Sequence, residues 1–247
     1  MKIASNIASI PELKKPIALS IGTFDGVHLG HQHLLKTLKS YGTSVVFTFT
    51  NHPLEVIQPN TKVPSLTPYA YKLKLLEKTN IAICTIQEFS NDMANMTYNV
   101  FLEEIYHSIP FDHICFGGDD AIGKNREGTR EKISELGSIL GFTPHYLPKI
   151  TIDNEIVSST TIRNYLRKGN LKMAEKLLGR PFATYTKLAT PFVDPSLLKT
   201  GSYQLQIQSD SDSFQTKGKV ASNGSILFDT PSYLKLEEYA TITFFKD

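Results

Sequence analysis

The stretch that decides the reading of this chain is Ser20-Ile21-Gly22-Thr23-Phe24-Asp25-Gly26-Val27-His28-Leu29-Gly30-His31-Gln32. It closes the apolar run Ile17–Ile21, short enough for a buried strand, and leads into Leu34, Leu35 and Leu38, whose spacing marks one face of a helix. Asp25-Gly26 between them is a turn signal. The unit therefore reads as strand, tight turn, helix. N–H groups at a helix start lack intrahelical partners, and the dipole there favours anions. Gly22, Gly26 and Gly30 keep side chains out of the way, so a phosphate can approach the backbone. His28 and His31, three residues apart, share a face on a helix and can grip one anion between them. Zinc is the alternative, but it needs further ligands from elsewhere, and no nearby Cys or Glu-rich motif offers them.

Working outward, Thr43–Phe49 is a second apolar, β-branched run, Ile81–Ile86 a third and His113–Phe116 a fourth, with a weaker fifth at Thr143–Leu147. Between them lie amphipathic helices: one opened by Thr67-Pro68 through Leu76, one capped by Thr97 and carrying Phe101 and Ile105, and one at Glu131–Leu140. Strands alternating with helices predict an α/β, Rossmann-like parallel sheet covered on both faces. In such sheets ligands bind beyond the carboxyl ends of the strands, where strand order switches. The first strand ends at Gly22, where the histidine motif begins, and Thr50-Asn51-His52-Pro53 leaves the same end of the second. Residues 1–15 read as a capping segment with no chemistry.

Two further stretches carry candidate chemistry. Gly118 to Lys124 fits most of a P-loop, but Asn125 stands where Ser or Thr should hold magnesium, and Asp119 and Asp120 would repel the phosphates. Lys124 and Arg126 are available for phosphate, or are solvated surface charges. Val157-Ser158-Ser159-Thr160-Thr161-Ile162-Arg163 opens a helix; its hydroxyls suit a cap, and Arg163, one turn on, can reach an anion by a charge-assisted bond.

These motifs together resemble one family. His28-Leu29-Gly30-His31 is similar to the His-x-Gly-His signature of the nucleotidylyltransferase superfamily. The longer run from Gly22 to Gln32 resembles, more narrowly, the adenylyltransferase module of bacterial bifunctional riboflavin kinase/FAD synthetases. Thr48-Phe49-Thr50-Asn51-His52-Pro53 resembles that family's flavin-site loop, with Asn51 in place of a proline, so the loop is expected to lose a stiffening residue. The stretch after Phe116 resembles the family's Gly-x-Asp/Asn-Phe-x-Phe-Gly segment without aromatics at Asp120 and Ile122. Val157–Arg163 resembles its Ser-Ser-Thr-x-Ile-Arg motif for terminal ATP phosphates. The resemblance covers residues 17–182. It implies ATP and FMN as substrates and Mg2+ as cofactor. Gly22, Thr23, Phe24, His28, Gly30, His31, Asp119, Arg126, Ser158, Ser159 and Arg163 are implied at the nucleotide, and Asn51, His52 and Pro53 at the flavin. His28, His31 and Arg163 are implied in catalysis, and Asp119 at the metal. Rival readings are a nucleotidylyltransferase with another phosphate-bearing acceptor, and a flavin- or nucleotide-binding regulator that has lost chemistry.

Composition narrows the classes. A net charge of +2 over 247 residues gives no bulk signature of a nucleic-acid partner. Cys84 and Cys115 sit in apolar runs without CxxC spacing and read as buried reduced thiols. No apolar run approaches membrane-spanning length, and the expected location is the cytoplasm. From Ala183 the pattern changes to period two in Tyr203–Gln208 and Tyr239–Phe244, with a hairpin signal at Asn223-Gly224. The expected organisation is a catalytic domain at 1–182 and a small antiparallel module at 183–247. In bifunctional relatives a larger riboflavin-kinase barrel stands there. Its Pro-Thr-Ala-Asn motif has no match here, which implies a shortened, kinase-dead remnant.

Overall fold

The computed structural model describes residues 1–118 and 121–246. Six parallel strands form its main sheet: β1 (Lys2–Ala4), β2 (Ile17–Ile21), β3 (Thr43–Phe49), β4 (Ile83–Gln87), β5 (His113–Phe116) and β6 (Thr143–Tyr146), in the order β1-β4-β3-β2-β5-β6. All five residues of β2 are buried, as expected of a central strand covered on both faces. The chain steps from β2 to β3 and β4 on one side, then crosses to β5 on the other, so strand order reverses beside β2. The carboxyl end of β2, at Gly22, is the switch point of the sheet. The helices are α1 (Leu29–Ser40), α2 (Pro53–Ile57), α3 (Tyr69–Glu77), α4 (Asn91–Asn95), α5 (Tyr98–Ser108), α6 (Arg130–Leu140), α7 (Ser159–Arg167) and α8 (Leu171–Leu178). None is long and apolar enough to cross a membrane.

The chain divides into two compact units, one of Met1–Phe24, Gly30–Val63 and Leu75–Lys149, the other of Asp25–Leu29, Pro64–Lys74 and Ile150–Asp247. The first holds the parallel sheet, with Leu19, Val45, Phe47, Leu102, Phe111 and Ile114 in its core. The second holds a two-residue hairpin, β7 (Thr151–Ile152) with β8 (Glu155–Ile156), and a five-stranded antiparallel sheet ordered β12-β11-β10-β13-β9. Those five strands are β9 (Ala183–Lys187), β10 (Gly201–Gln208), β11 (Ser213–Val220), β12 (Ile226–Phe228) and β13 (Tyr239–Phe245). Within the second unit, Ile162 and Leu166 of α7 and Leu177 and Leu178 of α8 share one core with Leu205, Ile207, Ile242 and Phe244 of the antiparallel sheet.

Two local expectations are revised. Lys2–Ala4, within the stretch read as a capping segment, is an edge strand paired with β4; only Ala4 is buried, so no apolar pattern announced it. Thr97 does precede α5, but its side chain makes no capping bond, and Glu127 Oε1 accepts from Tyr98 N instead. Thr67 precedes α3, and its hydroxyl accepts from Gly26 N at 3.1 Å.

Candidate active site

In the first unit the switch point is built from β2 and β3. Gly22 N donates to Phe47 O at 3.0 Å, and Thr48 Oγ1 donates to Thr23 O at 3.2 Å, which fixes the backbone as it leaves β2. Phe24 is fully buried with a left-handed φ of +48°, and its ring centroid lies 5.1 Å from that of His31 on the first turn of α1. This geometry packs His31 against an aromatic wall beside N–H groups that have no intrahelical acceptor, a suitable surface for an anion.

In the second unit the loop Asp25–Leu29 is held by one carboxylate. Asp25 Oδ1 accepts from Ser65 Oγ at 3.0 Å and Thr67 N at 3.1 Å; Oδ2 accepts from Leu66 N at 3.0 Å and Arg163 Nη2 at 2.5 Å. Arg163 Nε donates to Pro64 O at 2.8 Å, and Ser159 Oγ donates to Asp25 O at 2.9 Å. Both Asp25 and Arg163 are buried, so each neutralises a charge that would otherwise be costly away from water. Gly26 needs to be glycine: its φ is +82°, and a Cβ there would stand 2.8 Å from Leu66 Cδ1. Val27 follows with φ +38°, a region β-branched residues avoid at a cost of about 1–3 kcal/mol. The next residue, His28, is buried, and its pKa is pushed down to about 4. Desolvation is the largest cause; Asp25 opposes it, while Arg180 and Arg163 add to it. His28 is therefore a neutral imidazole at pH 7.

The other expected residues fall as follows. Ser158 is the N-cap of α7, accepting from Thr161 N at 3.1 Å, so its oxygen is engaged in holding the helix start. Arg163 has a partner that sequence spacing did not show, because Asp25 lies 138 residues away along the chain. Asn51 does not loosen its loop. Its amide donates to Phe89 O at 3.0 Å and its Oδ1 accepts from Phe89 N at 2.8 Å, a two-bond clamp that supplies the rigidity a proline would have given. His52 caps α2, with Nδ1 accepting from Leu54 N at 3.2 Å, and Pro53 takes the first helical position. Arg126 belongs to a short 3-10 turn, Lys124–Arg126, and has a left-handed φ of +59°. Asp119, the expected metal ligand, and Asp120 lie outside the described residues. Among the described residues no three His, Cys, Asp or Glu side chains cluster to hold a metal ion.

Two residues were missed by sequence reasoning. Asp25 read as a turn former and is the hub of the loop. Arg180 is not among the expected site residues, yet its Nη2 donates to Gly26 O at 2.6 Å and its Nη1 to Val27 O at 3.3 Å. The signal for Asp25 was its place inside the histidine motif; Arg180 gave none beyond its charge in an otherwise apolar segment.

A six-stranded parallel sheet with helices between its strands, and an antiparallel sheet towards the C-terminus, define an α/β protein of Rossmann-like fold. A family model described as FAD synthetase matches residues 10–161, and the chain belongs to that family. A bifunctional riboflavin kinase/FMN adenylyltransferase of Buchnera aphidicola is 31% identical over 190 residues, which cover 74% of this chain and 61% of that protein. A FAD synthetase of Listeria monocytogenes is 30% identical over 195 residues, covering 75% of this chain and 79% of that protein. The chain thus spans about three-fifths of the bifunctional relatives it matches. Among solved structures, one described as a macrolide-efflux protein from Streptococcus pneumoniae aligns over 99% of this chain and 89% of its own, with a TM-score of 0.79 at 18% identity. That likeness concerns the fold alone.

Proposed function

We propose that the chain is an FMN adenylyltransferase that makes FAD and pyrophosphate from ATP and FMN. The observation that carries this reading is membership of the FAD synthetase family with His28 and His31 both present in the matched region. A phosphate oxygen of FMN attacks the α-phosphorus in line, and the bond to the bridging oxygen of the β-phosphate breaks. The nucleophile is already an anion, so no general base is needed, and catalysis rests on positioning and charge stabilisation. His31 and the N–H groups at the start of α1 receive phosphate oxygens. His28, neutral before nucleotide arrives, contributes an N–H hydrogen bond rather than a fixed positive charge. Arg163 spends Nε and Nη2 on Pro64 and Asp25, which leaves Nη1 for the departing pyrophosphate; Ser159 has its one hydroxyl proton on Asp25 O and meets a phosphate oxygen as a donor only by turning from that carbonyl.

The flavin is assigned to the loop that Asn51 braces, with His52 and Pro53. Magnesium belongs to this reading as the companion of the ATP phosphates, held through phosphate oxygens and water with few protein ligands; among the described residues no three His, Cys, Asp or Glu side chains form a cage for it, and no step is assigned to it. We also propose that 1–182 is the adenylyltransferase module and that 183–247 is a kinase-like remnant without riboflavin kinase activity. The test is chromatographic: purified protein with ATP and Mg2+ plus either FMN or riboflavin. FAD from FMN, with no FMN from riboflavin, is expected. FMN from riboflavin would overturn the assignment of the C-terminal module. Bound flavin or ATP with neither product would favour a regulator.

A further inference from the structure

The conformation that most needs a cause is that of Val27. It is β-branched, buried and left-handed, a combination that relaxes unless the surroundings hold it. Its φ and ψ are the only soft torsions between two rigid peptide planes, one carrying Gly26 O and the other Val27 O. Those are the two carbonyls that Arg180 grips, at 2.6 Å and 3.3 Å, from a single guanidinium. A contact to Leu178 O at 3.4 Å ties the same group back to the end of α8. Arg180 Nε is buried with no hydrogen-bond partner among the described residues. The side chain thus accepts a desolvated N–H in order to present its fork to the loop.

We propose that Arg180 is a positioning residue: by fixing the peptide planes on both sides of Val27, it keeps the loop in its left-handed turn and sets the direction in which His28 leaves the backbone. A lysine cannot replace it, because an ammonium is a point donor whereas the planar guanidinium spans two acceptors in fixed geometry. The proposal depends on the adenylyl-transfer reading only for its kinetic readout.

The experiment compares Arg180→Ala and Arg180→Lys with the wild type by two measurements. The first is the titration of the His28 imidazole followed by NMR. The second is kcat and KM for FAD formation from ATP and FMN. In Arg180→Ala the His28 pKa should climb from about 4 toward the ordinary 6.5 as the ring swings toward solvent. It should climb in Arg180→Lys as well, since lysine keeps the charge and loses the fork. That second result separates lost position from lost charge. Displacing His28 by about an ångström should lower kcat roughly a hundredfold, with KM for ATP changed much less, and guanidinium added to Arg180→Ala should restore part of the rate. An unchanged His28 titration in Arg180→Ala, or a wild-type Arg180→Lys, overturns the proposal. If wild-type protein makes no FAD, the adenylyl-transfer reading fails while the titration still decides the role of Arg180. Should Arg180→Ala not fold, Arg180→Gln, with one amide donor for one carbonyl, carries the same measurements.

Discussion

Replacing Asp25 with Asn tests how the histidine loop is held. The side chains of Asp25 and Arg163 are only 7% and 8% exposed, so solvent screens their attraction little. Asparagine keeps the shape but loses the charge, and its amide must face a donor in either orientation. Turned one way it opposes Leu66 N and Arg163 Nη2; turned the other it opposes Thr67 N. Arg163 is left as a buried cation without a counter-charge, and in the first orientation its one remaining anchor is Pro64 O. Breaking a buried pair from one side costs about 3–5 kcal/mol, a large share of the 5–15 kcal/mol or so that holds a typical protein folded. With a urea slope of about 2.5 kcal/mol/M, the unfolding midpoint should fall by about 1.5 M. The double variant Asp25→Asn/Arg163→Met should recover much of this, because the stranded charge is gone. A midpoint within 0.3 M or so of wild type for the single variant, on the same slope, would refute the reasoning. So would a double variant that loses the sum of the two single losses.

Three further outcomes follow from the same geometry. His28 binds fewer protons folded than unfolded between pH 4 and 6.5, so stability is full above pH 6.5 and falls on acidification through pH 4. That limb amounts to roughly 3 kcal/mol, and His28→Gln should flatten it in pH-dependent denaturant melts. Asn51→Ala removes both bonds to Phe89 and should cost about 1–3 kcal/mol, with KM for FMN rising several-fold more than KM for ATP in steady-state assays; equal KM values would detach the loop from the flavin. Gly26→Ala forces a Cβ onto a left-handed residue against Leu66 and should destabilise by about 1–3 kcal/mol, read as a lower Tm.

How much was legible depended on whether a residue's partner lay nearby in sequence. The parallel sheet was readable because β2, β3, β4 and β5 are buried on both faces and therefore written as continuous apolar runs. β10 and β13 were readable by alternation, with Tyr203, Leu205 and Ile207 inward on one and Ala240, Ile242 and Phe244 inward on the other. β11 was not. Its Ser-Phe-Gln-Thr-Lys-Gly-Lys-Val sequence buries only Val220, and its eight-residue register with β10 places it in the sheet. The β7–β8 hairpin escaped notice because Asp153 and Asn154, left-handed at +49° and +64°, make the turn without the glycine usually sought.

At the site, the histidine motif and the α7 start were visible as local patterns. The pairing of Asp25 with Arg163 was not, nor was the reach of Arg180 back to Gly26, because both bridge more than a hundred residues. Asn51 shows the converse: its departure from the family pattern read as a loss of stiffness, and two backbone bonds to Phe89 supply that stiffness by another route.

The central claim is that the turn after β2 holds the ATP phosphates for attack by FMN. Its most direct test is FAD formation by wild type and His31→Ala under saturating ATP and FMN, with folding of both checked by circular dichroism. The account predicts a folded variant whose turnover falls about 10²–10³-fold, the loss expected for one pre-organised anion-stabilising donor. Near-wild-type turnover in a folded His31→Ala would contradict it.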